Sequence, residues 1–201
     1  MKEGYIMIIL GSYGFRQTTT GDQIGALLPD KKANVLIIPL ASETPMIAGK
    51  KEKEGIIHLG FEDTKITIYT RSDHEMIVDK NYDIIVVPGG NTFKLLHLVK
   101  EYSLDEYIKR QYALGCIYIG LSAGAYLACP DVGYVSLFDD NNYIKSNDFS
   151  ALALTGKYPI CHYESKGLSA LHRCEDYFTA HFSTVIPEYV PICDGDIFSF
   201  K

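Results

Sequence analysis

The sequence predicts an α/β domain on a mostly parallel sheet, with helices covering both faces. Three observations carry that expectation. Apolar runs rich in Val and Ile recur at YIMIIL (5–10), NVLIIPLAS (34–42), YDIIVVPGG (82–90) and GCIYIGLS (115–122). They are apolar throughout rather than alternating, as strands buried on both faces are. Helix-like segments separate them, and strands running in parallel need such crossovers.

Taken in order, YIMIIL is the first strand and GSYGFRQTTTGD a glycine-containing loop after it. NVLIIPLAS is the second buried strand. TPMIAGKKEKEGIIHLGF reads as a helix, with KKEKE (50–54) as its solvated face. KITIYT (65–70) alternates in the manner of a half-covered strand. After YDIIVVPGG come two helices, NTFKLLHLVKEY and SLDEYIKRQYAL. Asn91 can cap the first; Ser103 is expected to cap the second, with Asp105 and Glu106 near its positive end. GCIYIGLS is the fourth buried strand. Beyond it VGYVSLFDDNNY reads as a strand and turn, LALTGKYPICHY as a strand ending at a histidine, and ESKGLSALHRCEDYFTAHF as a helix. VPICDGDIFSF reads as a closing hairpin with Asp-Gly near its turn. The C-terminal part is therefore β-rich. With no linker, repeat or low-complexity segment in view, residues 1–201 are expected to form a single domain.

Composition narrows the function classes. The 201 residues are 47% hydrophobic and 22% charged, with a net charge of −6 and no basic block. That balance argues against a nucleic-acid partner. No apolar run reaches the ~18 residues that span a bilayer. MKEGYIMIIL lacks the long apolar region and small-residue cleavage site of a signal peptide. A cytoplasmic protein without membrane contact is expected. The five cysteines are odd in number and form no C-x-x-C pair, so neither a zinc site nor a disulfide framework is expected.

Two loops hold the chemistry. In YIGLSAGAYLAC, Ser122 lies in a G-x-S-x-G between a strand and a helix. Gly120, Ala123 and Gly124 keep such a turn small, and the turn lifts the serine to the carboxyl edge of the sheet. In IIVVPGGNTFKLL, Gly89 and Gly90 follow a buried strand and allow backbone N–H groups to face a ligand. Both loops lie where open α/β sheets put their sites. His162, at a strand end in YPICHYES, is the candidate base for Ser122. His172 and His181 sit on the following helix and read as surface or packing residues. Glu164 is a weaker acid candidate, two residues past His162. The residues alone leave other readings open: a serine in an ordinary turn, a small α/β-hydrolase esterase, or a binding protein that keeps the elbow without catalysis. SYGFRQTTTGD and ASETP are not phosphate-loop patterns, which disfavours a nucleotide-binding module.

PGGNTFKLL followed by YIGLSAGA, with PEYVP (187–191) near the C-terminus, resembles peptidase family S51, the peptidase E and cyanophycinase group. The resemblance implies a class I glutamine amidotransferase-like, flavodoxin-type fold in which serine replaces the amidotransferase cysteine. It implies a serine peptidase without metal or cofactor, acting on short peptides with N-terminal aspartate. By position it makes Ser122 the nucleophile, His162 the base, and Gly90 (or Gly89) with Ala123 the oxyanion donors. It puts the acid between serine and histidine, at Asp140 or Asp139, and makes Asn91 a substrate contact. An acidic substrate calls for a cation, for which Arg16, Lys94, Lys166 and Arg173 are candidates. A homodimer is the one assembly left open.

Overall fold

The computed structural model describes residues 7–28, 30–145, 147–181 and 188–200, without the side chains of 166–171. Strands β1 (Ile8–Gly11), β2 (Val35–Ile37), β3 (Ile66–Ile68), β4 (Ile84–Val87) and β5 (Ile117–Leu121) alternate with helices. These are α1 (Thr18–Leu27), α2 (Pro45–His58), α3 (His74–Val78), α4 (Thr92–Glu101) and α5 (Leu104–Ala113). Then follow α6 (Ala123–Leu127), β6 (Tyr158–Cys161), α7 (Tyr163–His181), β7 (Tyr189–Ile192) and β8 (Ile197–Phe200). The main sheet has the order β3-β2-β4-β5-β1-β8. Its first five strands are parallel, and β8 lies antiparallel on β1, with Ile8 opposite Phe200. The fold class is the expected one.

Side-chain alternation along the strands divides the apolar residues between two cores. Ile8, Leu10, Leu36, Ile85, Val87 and Tyr118 face one way, into a core with α4, α5, α6 and α7. Ile9, Val35, Ile37, Val86, Ile119 and Leu121 face the other, toward Ile24 of α1 and Ile56 of α2. The unbroken apolar runs are thus two interleaved half-patterns, each burying its own set. Each large aliphatic side chain removed from water contributes about 1.5–3 kcal/mol.

Four local expectations change. The stretch after β1 holds a ten-residue helix, α1, whose threonines and glycines conceal it, since both residue types have low helix propensity. Ser103 precedes α5 in a left-handed conformation, φ 53°, and its side chain makes no cap bond. VGYVSLF is not a strand: residues Gly133–Leu137 form a 3₁₀ turn, started by the Asp131 carboxylate accepting the Gly133 N–H at 2.7 Å. Its Tyr134 is fully buried and donates its hydroxyl to the Pro159 carbonyl at 2.6 Å.

The fourth change bears on function. The C-terminal strands do not pair as a hairpin. β7 runs parallel to β6 in a separate two-stranded sheet, with Tyr158 opposite Tyr189, while β8 crosses to the main sheet beside β1. The Asp-Gly turn between them therefore spans two sheets. It is closed by Asp196 N–H donating to the Cys193 carbonyl at 3.1 Å, with Gly195 at φ 96°. The Gln23 side chain of α1 donates to the Gly195 carbonyl at 2.8 Å, fixing the turn over the carboxyl end of β1.

Candidate active site

β5 ends at Ser122, whose φ of 51° and ψ of −107° are rare for a residue with a side chain. Such a conformation costs about 1–3 kcal/mol and persists only when its surroundings enforce it. They do so here. Ser122 N–H donates to the Gly11 carbonyl of β1 at 2.8 Å, and the Ser122 carbonyl accepts from Ala125 and Tyr126 at 2.9 and 3.1 Å. Gly124 is obligatory on the inner side, because a Cβ there would overlap the Val87 carbonyl oxygen of β4. Sheet, turn and α6 are locked together, and the Ser122 hydroxyl lies on the wall of an open cleft.

His162 follows β6 directly, also with positive φ, at 56°. Its Nε2 lies 3.2 Å from Ser122 Oγ, and its Nδ1 lies 2.7 Å from Asp194 Oδ1. Asp194 comes from the Asp-Gly turn after β7. His162 and Asp194 side chains are 25% and 26% exposed, so the pair is shielded without being cut off from water. The Tyr13 ring meets the imidazole edge-on, with centroids 5.1 Å apart.

Ser12, at the end of β1, carries no signal in the sequence that marks it as functional. It is 2% exposed; its hydroxyl donates to the Ile192 carbonyl at 2.8 Å and accepts the His162 N–H at 2.9 Å. One side chain thus ties the main sheet to the ends of both β6 and β7, which carry His162 and lead into Asp194. Ser12→Ala leaves a buried carbonyl and a buried N–H without this partner. It is expected to cost about 1–3 kcal/mol, read from urea unfolding.

Asp139 and Asp140 need correction. Asp139 Oδ2 accepts from the Thr92 N–H at 2.9 Å and the Thr92 hydroxyl at 2.6 Å. The Asp140 carbonyl accepts from Asn91 Nδ2 at 2.9 Å, and its carboxylate bonds the Asn142 amide. The Asp139 carboxylate therefore serves the start of α4, where free N–H groups and the positive helix end favour an acid, while Asp140 meets Asn91 only through its backbone carbonyl. Asn91 is corrected with them: its Oδ1 accepts the Lys94 N–H at 2.8 Å and its Nδ2 donates to the Asp140 carbonyl, so it caps α4 and does not line the cleft beside Ser122.

Gly89 lines the cleft beside Ser122, and a Cβ on it would come within 3.0 Å of the Ser122 Cβ. Gly90, φ 146°, packs against the Ala41 carbonyl, which also accepts the Asn91 N–H at 3.0 Å. Ala123 opens α6 and is fully buried. Among the described residues, no backbone carbonyl accepts from the N–H of Gly89, Gly90 or Ala123.

The cleft encloses about 340 Å³, lined by Ser12, Tyr13, Gly89, Ser122 and His162 on one side. The α2 side brings in Thr44, Lys51 and Glu52, and the loop after β1 brings Arg16. Of the three candidate cations whose side chains are described, Arg16 alone borders this space. Lys94 is held by the Ser42 carbonyl and Glu43, both at 3.0 Å, and Arg173 lies over the Phe138 ring at 5.8 Å. The Lys166 side chain lies outside the described residues. KKEKE is not a wholly solvated face either, because Glu52 within it is only 8% exposed. His181 packs on Tyr177, with rings stacked at 4.0 Å. Four of the five cysteines, Cys116, Cys129, Cys161 and Cys174, are buried. Among the described residues, no group of three or more His, Cys, Asp or Glu could hold a metal ion, and no helix is long and apolar enough to cross a membrane.

Comparison with known proteins adds a family to this geometry. The sequence pattern of peptidase family S51 matches residues 7–197. An uncharacterized peptidase of Listeria innocua is 33% identical over 138 residues, 65% of this chain and 65% of its own length. A peptidase E of Nostoc sp. is 35% identical over 112 residues, 55% of this chain and 45% of its own. The chain thus spans less than two thirds of these relatives. Among solved structures, a Listeria monocytogenes EGD-e protein superposes with a TM-score of 0.72 at 20% identity, covering 97% of this chain and 98% of its own. A peptidase from an acI-B1 Actinobacterium gives 0.71 at 17% identity, covering 97% and 83%. At these identities the two structures speak for the fold.

Proposed function

We propose, from the premise that the chain belongs to peptidase family S51, that it is a serine peptidase of the peptidase E type. Its nucleophile is Ser122, its base His162 and its acid Asp194. The observation that carries this reading is the continuous relay Ser122 Oγ to His162 Nε2 at 3.2 Å and His162 Nδ1 to Asp194 Oδ1 at 2.7 Å, on a serine held at a strained elbow. A peptide bound in the cleft presents its carbonyl carbon to Ser122 Oγ. As that bond forms, His162 Nε2 takes the hydroxyl proton, and Asp194 holds the ring so that Nδ1 carries the other proton. The carbonyl oxygen becomes an oxyanion facing the N–H groups of Gly89, Gly90 and Ala123. His162 then gives its proton to the leaving amine. Water, activated by the same histidine, releases the acyl group.

The cleft supports a short, acidic substrate. Its volume suits a dipeptide more than a folded chain, and Arg16 and Lys51 on its wall can meet a carboxylate. Charge-assisted hydrogen bonds of that kind are worth a factor of about 10–100 in discrimination. Aspartyl-leucine should therefore be cleaved that much faster, by kcat/KM, than alanyl-leucine or lysyl-leucine, and Arg16→Gln should narrow the gap. A panel showing no preference for aspartate, or turnover of short-chain esters alone, would defeat the assignment.

A further inference from the structure

Glu52 is a buried acid that the relay does not use. It lies in α2, is 8% exposed, and borders the same cleft as Ser122 and His162. Its Oε2 accepts the Phe15 N–H at 2.8 Å. Among the described residues its carboxylate forms no ion pair. Gly14 closes over it without a side chain, and a Cβ there would overlap the carboxylate oxygens. Burial raises its carboxyl above the usual range, against the opposing influence of the Phe15 N–H and the more distant Arg16. A buried carboxylate with no ion-pair partner costs stability unless something supplies the missing charge.

A peptide substrate carries that charge. In a chain cleaved after its first residue, the α-ammonium is two bonds from the carbonyl carbon that Ser122 attacks, so its receptor must lie in the same small cleft. We propose that the Glu52 carboxylate receives the α-ammonium of the bound peptide, restricting the site to chains with a free amino terminus. This rests on the peptidase reading above and assigns one of its specificity residues. Arg16 and Lys51 are the other charged groups of the cleft; in this arrangement they take the acidic side chain while Glu52 takes the amine.

Two chromogenic probes separate the parts: aspartyl p-nitroanilide, and succinic mono-p-nitroanilide, the same compound without its ammonium. Wild-type protein should prefer the first. Glu52→Gln keeps an acceptor for Phe15 N–H and removes only the charge. It should lower kcat/KM on the aspartyl probe by roughly 10–100-fold and leave the succinyl probe within about threefold. A group whose folded-state pKa is raised favours folding when protonated, and that contribution is lost as pH rises through it. The neutral amide of the Glu52→Gln variant escapes the loss, so its Tm at pH 7 should be no lower than wild type. Parallel losses on both probes would make Glu52 only a structural acceptor and overturn the proposal. Equal wild-type rates on the two probes would overturn it without any variant. Hydrolysis of neither probe would sink the peptidase reading itself, and this proposal with it.

Discussion

Replacing Asp194 by Asn is expected to lower kcat about 10⁴-fold, while Asp139→Asn and Asp140→Asn keep activity within a few-fold. Asp194 Oδ1, 2.7 Å from His162 Nδ1, can only accept, which fixes the proton on Nδ1 and leaves Nε2 free to take the serine proton. An amide can turn its NH₂ toward Nδ1 and favour the opposite tautomer, in which Nε2 already carries a proton. The imidazolium formed during attack also loses its counter-charge. Asp139 acts elsewhere. It holds Thr92 at the start of α4, so its replacement should cost about 1 kcal/mol of stability, seen in urea unfolding, and little turnover. Steady-state rates of the three variants on aspartyl p-nitroanilide decide between the acids. Full activity in Asp194→Asn, or collapse in Asp140→Asn with the fold intact, would reverse the assignment.

Ser122→Ala should have a still larger effect, removing roughly 10⁵–10⁶ of the rate, with only transition-state binding by the oxyanion donors left behind. The fold should survive. The bonds that hold the elbow run through the Ser122 backbone N–H and carbonyl, and alanine keeps both. A stability change below about 1 kcal/mol is expected from circular dichroism and urea unfolding. Residual turnover near wild type in a folded Ser122→Ala protein would remove the serine mechanism outright.

The parts legible in the sequence are those carried by local pattern. Buried strands announce themselves as runs such as IIVV, and the elbow as glycine and alanine packed around a serine, because the steric demands are met within a few residues. His162 stands out as a histidine at a strand end. Asp194 does not. It lies 32 residues beyond His162, and the Asp-Gly signal that marks its turn is equally good at closing a hairpin. Only the split of β7 and β8 between two sheets turns that dipeptide into a partner for His162. Asp139 and Asp140 fit the expected order of serine, acid and histidine, but the Asp139 carboxylate goes to Thr92 at the N-terminus of α4 and the Asp140 carboxylate to the Asn142 amide. Ser12 and Glu52 are hidden for the same reason. A serine after a strand and a glutamate in a lysine-rich helix look ordinary until the tertiary fold buries them.

In the proposed mechanism Ser122 is activated by His162 and Asp194. A serine-directed phosphonate ester, incubated with the intact protein and located by peptide mass spectrometry, tests this most directly. One adduct is expected, on Ser122, forming rapidly in wild type and in Asp140→Asn and orders of magnitude more slowly in Asp194→Asn. An adduct on another serine, no adduct at all, or labelling of Ser122 at the same rate in Asp194→Asn would contradict it.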